Sequence, residues 1–306
     1  MRGITRRSTI AFALNACLPD MCLRAEAPSR FVKGITSSVF PLGTSFADCV
    51  ARASAAGFEA TEIRIDPKEF LYTQSTREDA QKLAQIAAAK RMRIASLWAL
   101  TPGSPSLVGP QKAERDEAHA RVEVALRLAP ELHCDAVLVT PAVLGRGARM
   151  DVTHDQAWSA ATKAFRKFVP IAERAGVMLT PENVWSRFLV SPRDMREFVD
   201  QFPRKTVGVH FDTGNILQWG YPEDWILTLG SRIRRIHFKD FKLANGGKQG
   251  QFVPLLEGDV NWKGVMSSLR IIDYRGFITA EAGPDPSDPE QLLKLSRALD
   301  TILTMA

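Results

Sequence analysis

From residue 31 onward, the chain alternates between two hydrophobic periods. Short apolar or β-branched runs, typical of buried strands, are each followed by a longer segment whose apolar residues recur at helical spacing. The first pair is a strand over residues 31–40 and a helix over 45–56, in which Phe46, Val50 and Ala53 share one face. The pattern therefore predicts that strands and helices alternate from the start.

The same alternation continues to the end of the chain. Strands are predicted at residues 31–40, 60–65, 92–100, 136–140, 177–183, 207–212, 233–240 and 276–282, and helices at 45–56, 77–90, 113–128, 155–175, 192–201, 222–229, 262–272 and 289–304. Eight strand–helix units predict one α/β domain, a (β/α)8 TIM barrel over residues 31–306. The alternative is a doubly wound open sheet. That fold is expected to carry a Gly-rich phosphate loop after an early strand, and the sequence has none.

The first 27 residues have a different character. Arg6 and Arg7 precede a short apolar run at residues 8–14, and Ala25-Glu26-Ala27 has the form of a cleavage site. This segment resembles a twin-arginine export signal. The alternatives are a disordered leader or a true start at Met21. The sequence thus predicts a periplasmic protein if the signal is used and a cytoplasmic one otherwise.

Composition and charge narrow the classes of partner. The chain has 306 residues, 45% of them hydrophobic, and its formal charge of +6 is not gathered into a long basic run. We therefore expect a globular protein that does not bind nucleic acid. No stretch approaches the roughly 18 apolar residues of a membrane span. The four cysteines show no metal-ligand spacing, and whether the chain forms a homo-oligomer stays open.

Four consecutive predicted strands end on side chains that bind metals, namely Glu182, Asp212, His237 and Glu281. The carboxyl ends of barrel strands meet on one face, so these side chains are expected to converge. Three carboxylates and one imidazole suit Mn²⁺, Mg²⁺ or Co²⁺ better than zinc. Any one of the four could be an ordinary polar cap, but four in succession favour a metal site.

At these strand ends the chain resembles the xylose isomerase-like TIM barrels, a superfamily of sugar phosphate isomerases and epimerases, over roughly residues 33–303. The resemblance rests on Pro181-Glu182-Asn183, His210-Phe211-Asp212-Thr213-Gly214-Asn215, His237-Phe238-Lys239-Asp240, Gly258-Asp259-Val260-Asn261-Trp262 and Ala280-Glu281. It implies that Glu182, Asp212, His237 and Glu281 bind one divalent metal. It also implies that Glu182 and Glu281 act as the catalytic acid and base on a sugar or keto-sugar.

Seven further residues are candidates for binding the substrate: Glu62, Trp98, Asn183, His210, Asn215, Lys239 and Trp262. Glu62 is expected to accept a bond from a sugar hydroxyl or to pair with Arg64. His210, on the same face as Asp212 but deeper, is expected to support the ligands or simply to be packed. Lys239 would bind a substrate oxygen or phosphate, and Asn183 would orient a ligand or cap a turn. Trp98, Trp185 and Trp262 are expected to form walls of the pocket or parts of the core.

At two positions this chain differs from the ketose 3-epimerases, and both differences bear on the type of reaction. The ketose 3-epimerases that this chain is similar to carry a histidine where Asn215 stands and an arginine soon after the ligand histidine. The sequence His237-Phe238-Lys239-Asp240 instead resembles branches that include inosose dehydratases. The leading hypothesis is an isomerase or epimerase working through an enediolate. The alternative is a lyase or dehydratase of a keto-sugar, inosose or 3-keto-glycoside.

Two other classes are less favoured. A nuclease like endonuclease IV needs a three-metal cluster with more histidines than the five present here. A sugar-binding barrel without catalytic activity is the remaining possibility.

Overall fold

Strands and helices alternate as predicted in the computed structural model, which describes residues 30–145, 149–281 and 290–305. The strands are β1 (Phe31–Thr36), β2 (Ala60–Arg64), β3 (Arg93–Leu100), β4 (Ala136–Val139), β5 (Met178–Pro181), β6 (Val209–Asp212), β7 (Ile233–Phe238), β8 (Asp240–Ala244), β9 (Gln249–Val253) and β10 (Gly276–Ala280). The helices are α1 (Phe46–Ala55), α2 (Arg77–Ala89), α3 (Lys112–Leu128), α4 (His154–Ala175), α5 (Pro192–Val199), α6 (Pro222–Leu229), α7 (Trp262–Ile271) and α8 (Gln291–Thr304).

Eight of these strands form one parallel sheet that curls into a nearly closed barrel. Their order is β5-β4-β3-β2-β1-β10-β7-β6. Single parallel bridges, Leu179 with Val207 and Glu182 with His210, join the two ends of the sheet. The predicted (β/α)8 barrel is therefore confirmed and the open doubly wound sheet is wrong. Closure places the carboxyl ends of all eight strands around one mouth.

Local sequence explains where several helices begin. Thr76, Thr153 and Ser191 each precede a helix, and each side chain accepts a bond from the third helical backbone N–H. The side chain at that third position bonds back in all three cases, which completes a capping box. These helices therefore start at fixed points behind the barrel strands, and the loops that reach the mouth have defined lengths.

The predicted leader, residues 1–27, lies outside the described residues, so the export signal stays a prediction. Within the described ranges, no helix combines the length and apolar character needed to cross a membrane.

An antiparallel hairpin, β8 with β9, was missed by the sequence analysis. It is inserted between β7 and α7, so the strand predicted over residues 233–240 ends at Phe238. Asn245 and Gly246 at its turn both have positive φ, 50° and 66°. An Asn-Gly pair favours that backbone conformation, which was the signal available in the sequence.

Asp240 anchors the hairpin and the loop that follows it. Its side chain is buried, and it accepts bonds from the backbone N–H groups of Phe241, Leu256, Gly258 and Val260 and from the indole N–H of Trp262. A side chain at position 258 would collide with this carboxylate, so glycine is required there. The Asp240 carboxylate thus accepts hydrogen bonds from backbone N–H groups of this loop that have no partner in a helix or strand.

Replacing Asp240 with Ala is expected to lower the free energy of unfolding by about 3 kcal/mol, because several buried donors lose their acceptor. Urea denaturation measures this, and hydrogen exchange over residues 240–262 should rise with it. Glu257→Ala, in the same loop but exposed, is the control. A loss no larger for Asp240→Ala than for Glu257→Ala would contradict the anchoring role.

Candidate metal centre

The four predicted metal ligands converge at the mouth of the barrel. His237 Nδ1 lies 2.8 Å from Glu281 Oε2, 3.2 Å from Glu182 Oε1 and 4.0 Å from Asp212 Oδ2. One donor atom from each residue lies within 4.8 Å of all the others. Donors on opposite sides of a small divalent ion are about 4.2 Å apart, so the spacing fits a single ion after slight adjustment.

Burial is uneven across this cluster. Asp212 and His237 are inaccessible to solvent, whereas the side chain of Glu281 is 17% exposed. The cluster therefore opens to the outside on the β10 side, which gives a path for a ligand.

The pKa values of Asp212 and Glu281 are shifted in opposite directions. Burial, together with the negative charges of Glu281 and Glu182, raises the pKa of Asp212 to about 6 despite nearby Lys239. Burial also disfavours ionised Glu281, but Lys239 and His237 outweigh it and lower the pKa of Glu281 to about 2. Of these two carboxylates, Asp212 is the one for which a proton competes more strongly with a cation.

His237 is oriented from behind by Glu62. Its Nε2 lies 2.8 Å from Glu62 Oε2, so Nδ1 is the nitrogen that faces the other carboxylates. Burial lowers the pKa of His237, but Glu62 and Glu281 raise it further, and the net pKa is well above the ordinary value. A carboxylate behind a ligand histidine fixes the ring and strengthens it as a ligand.

Glu62 bonds to three side chains of the barrel instead of pairing with Arg64. Besides His237, its oxygens accept bonds from Trp98 Nε1 at 2.5 Å and Thr279 Oγ1 at 3.0 Å. Glu62 is buried, and within the described residues it forms no ion pair with Arg64. These bonds leave little capacity for a sugar hydroxyl. The same-face spacing of Thr279 and Glu281 was the sequence signal for the threonine.

His210 is packed against the ligand histidine. The two ring centroids are 3.9 Å apart, and no described residue hydrogen-bonds to either nitrogen of His210. Burial and the nearby charge of His237 lower the pKa of His210 well below its ordinary value. His210 is therefore a neutral, packed side chain beneath the cluster, which was one of its two predicted roles.

Asn183 and Asn215 hold Asp212 in place. The amide of Asn183 donates to the Asp212 carbonyl and accepts from the Asp212 N–H, both at 2.8 Å. The backbone N–H of Asn215 donates to Asp212 Oδ1 at 2.8 Å. Asp212 Oδ2 is thereby directed into the cluster. The buried Nδ2 of Asn215 has no hydrogen-bond partner among the described residues and is free to donate to a ligand.

Lys239 neutralises the cluster in this structure. Its ammonium lies 3.0 Å from Glu281 Oε2 and 3.3 Å from Asp212 Oδ2. Burial disfavours the charge, but these two carboxylates raise the pKa of Lys239 above its ordinary value. The ammonium contacts the same oxygens that would bind a metal, so an entering divalent ion must displace it.

The two tryptophans predicted to bind substrate lie on different sides of β7. The Trp98 ring is 5.1 Å from His237, with the Arg64 guanidinium 4.8 Å from its centroid. Trp98 is thus a wall of the mouth. Trp262 packs at 4.8 Å on Phe238, whose side chain alternates away from His237. Trp262 therefore belongs to the layer between β7 and its helices rather than to the pocket.

Comparisons with known proteins agree with this fold and place the chain in a family. A family model described as "xylose isomerase-like TIM barrel" matches residues 50–301. An Escherichia coli K12 protein that carries the provisional name L-ribulose-5-phosphate 3-epimerase is 25% identical over 81% of this chain and 87% of its own. Inosose dehydratase of Clostridium perfringens strain 13 is 21% identical over 79% of this chain and 84% of its own.

Solved structures share the fold. D-psicose 3-epimerase of Clostridium cellulolyticum H10, crystallised with D-tagatose, superimposes with a TM-score of 0.71. The two sequences are 18% identical, and the match covers 90% of this chain and 99% of the epimerase.

Glu62→Gln is expected to weaken Mn²⁺ binding about ten- to hundred-fold, because His237 loses the charge that makes Nδ1 a strong ligand. Isothermal titration calorimetry at constant pH measures the affinity. Glu123→Gln, on the exposed face of α3, is the matched control. Equal affinities in the two variants would show that Glu62 does not support the ligand.

Metal affinity should rise with pH. His237 must lose a proton from Nδ1 at any pH below its raised pKa, and Asp212 must lose a second proton below its pKa of about 6. The logarithm of the Mn²⁺ association constant should therefore rise with a slope of about one above pH 6 and about two below it. Titrations between pH 5 and 7.5 test this, and a constant affinity would contradict it.

Proposed function

The chain belongs to the xylose isomerase-like TIM-barrel family, and from this we propose that it is a divalent-metal-dependent isomerase or epimerase of a sugar or keto-sugar. The observation that carries the proposal is the convergence of Glu182, Asp212, His237 and Glu281 on one point at the mouth of the barrel. The names of its relatives support the same class, since they include a protein provisionally named L-ribulose-5-phosphate 3-epimerase and, among structures of the same fold, a D-psicose 3-epimerase.

The donor set suits Mn²⁺, Mg²⁺ or Co²⁺. Asp212 Oδ2 is buried and has the Lys239 ammonium 3.3 Å away as its partner, so a positive charge already occupies the position that a divalent ion would take over. When bound, such an ion supplies a positive charge that stabilises the negative charge developing on the substrate carbonyl oxygen. Glu182, Asp212, His237 and Glu281 would hold it.

Glu182 and Glu281 are proposed as the acid–base pair. They come from β5 and β10 and approach His237 Nδ1 from separate strands, at 3.2 and 2.8 Å. One carboxylate removes the proton from the carbon next to the carbonyl, and the other returns a proton to that carbon or its neighbour. Glu281 is ionised at neutral pH because Lys239 and His237 lower its pKa, and it would become a stronger base once the Lys239 ammonium leaves its oxygen.

Three residues are proposed to contact the substrate. Lys239, displaced from the carboxylates, keeps its charge and can bind a substrate oxygen. The free Nδ2 of Asn215 can donate to a hydroxyl. The third is Trp98, whose ring lies beside His237, although the side chain is buried and Arg64 lies over the ring.

A lyase is the second candidate. Asn215 and Lys239 depart from the epimerase pattern, and the relatives include inosose dehydratases. The chemistry would begin with the same proton abstraction. The electron pair left on carbon would then expel a β-hydroxyl, which leaves as water with a proton donated by the second carboxylic acid, instead of the carbon recovering that proton.

Incubation of the Mn²⁺-loaded protein with keto-sugars in D₂O distinguishes the candidates. Deuterium at the carbon next to the carbonyl without loss of water supports isomerisation, and an unsaturated product supports the lyase. Glu182→Gln and Glu281→Gln are each expected to lower turnover at least about hundredfold. Both variants must first be shown to bind Mn²⁺, and Glu123→Gln again serves as control. Full turnover by both variants would contradict the assignment of Glu182 and Glu281 as the acid–base pair.

A further inference from the structure

Three half-exposed aromatic rings cluster at the mouth of the barrel, and we refer to them as the aromatic patch. They are Trp185, Trp219 and Phe252, with 41%, 48% and 46% of their surface exposed. The Trp185 ring centroid lies 6.1 Å from Trp219 and 5.2 Å from Phe252. Single exposed apolar residues are common, but a contiguous group of large rings marks a place where something binds.

The patch is built by the segments that follow the metal-binding strands. Trp185 follows β5, Trp219 follows β6 and Phe252 lies in the hairpin after β7. Those three strands position Glu182, Asp212 and His237. A molecule held at the metal centre and extending outward over these strands would therefore meet the aromatic rings.

A direct contact joins the patch to the centre. The Lys239 ammonium that pairs with Asp212 and Glu281 lies 5.5 Å from the centroid of the Phe252 ring. No separate wall intervenes at this point, because one side chain contacts both the carboxylates and the patch. The patch is continuous with the candidate active site.

The rings are also held in place. Trp185 Nε1 donates to the Asn215 carbonyl at 2.8 Å. Buried Phe241 supports the patch from below, with ring centroids 5.5 Å from Trp185 and 5.1 Å from Phe252. Gly250 lies directly against Phe241, where a Cβ would collide with its ring. A surface that is already ordered loses little entropy when it binds a ligand.

We propose that the aromatic patch binds a second sugar ring, so that the substrate is a disaccharide or other glycoside rather than a free monosaccharide. A pyranose has an apolar face of C–H groups that can pack on aromatic rings, while its hydroxyls stay in water. This inference rests on the proposed function, since it requires a sugar at the metal centre.

Calorimetry of the Mn²⁺-loaded protein with glucose, cellobiose, maltose and trehalose tests the proposal without turnover. At least one disaccharide is expected to bind about ten-fold more tightly than glucose, since burying part of a ring face is worth roughly that much. Trp185→Ala and Phe252→Ala should each reduce the ratio of disaccharide affinity to glucose affinity towards one. Trp185→Phe and Phe252→Tyr, which keep a ring, should preserve it. Ile271→Ala, an exposed apolar truncation on α7, is the control.

Three outcomes would overturn the proposal. The first is that glucose binds the native protein as tightly as every disaccharide, and the second is that the preference for a disaccharide survives in both alanine variants. The third outcome is a dimer, seen by light scattering, that Trp219→Ala dissociates, which would make the patch a subunit interface. If keto-monosaccharides exchange deuterium but no disaccharide is preferred, only this inference fails. A disaccharide preference without any exchange leaves the patch supported and the proposed reaction wrong.

Discussion

The candidate site depends on the charge balance around buried His237. Glu62 lies on one side of its ring, and Glu182, Asp212 and Glu281 lie on the other. Ionised carboxylates in a low-dielectric interior repel one another unless positive charge lies between them. Protonated His237 and Lys239 supply that charge in this structure. A divalent ion would replace both contributions, which links metal binding to proton release and to the freeing of Lys239.

The barrel makes this arrangement possible because the residues that position His237 and Asp212 lie at a different level from the residues that would contact a ligand. The groups that hold His237 and Asp212, namely Glu62 and Asn183, lie in or just beyond the barrel strands and are buried. The groups that meet a ligand lie in the segments beyond. Asp240, directly after β7, connects the barrel strands to these outer segments, since it fixes the hairpin that carries Phe252 and the loop that leads into α7.

Two departures from the epimerase pattern now have a structural meaning. Asn215 gives its backbone N–H to Asp212 and leaves its side-chain amide free. Lys239 is tied to the carboxylates rather than standing apart from them. These positions border the space where the substrate would react. The relatives include a provisionally named epimerase and inosose dehydratases, and residues at these positions would be suited to decide between protonation and elimination in the proposed reaction.

The sequence by itself determined the barrel and the convergence of four side chains predicted to bind a metal, because hydrophobic periodicity is local and the carboxyl ends of parallel strands must share one face. It did not determine which polar residues face each other across the barrel. Glu62 and His237 are far apart in the chain, and only barrel closure brings them into contact. Likewise, the sequence did not distinguish Trp98 from Trp262, yet Trp98 lies on β3 beside His237, whereas Trp262 begins α7 and packs on Phe238 behind β7. The aromatic patch, too, exists only in the tertiary structure, because three separate loops build it.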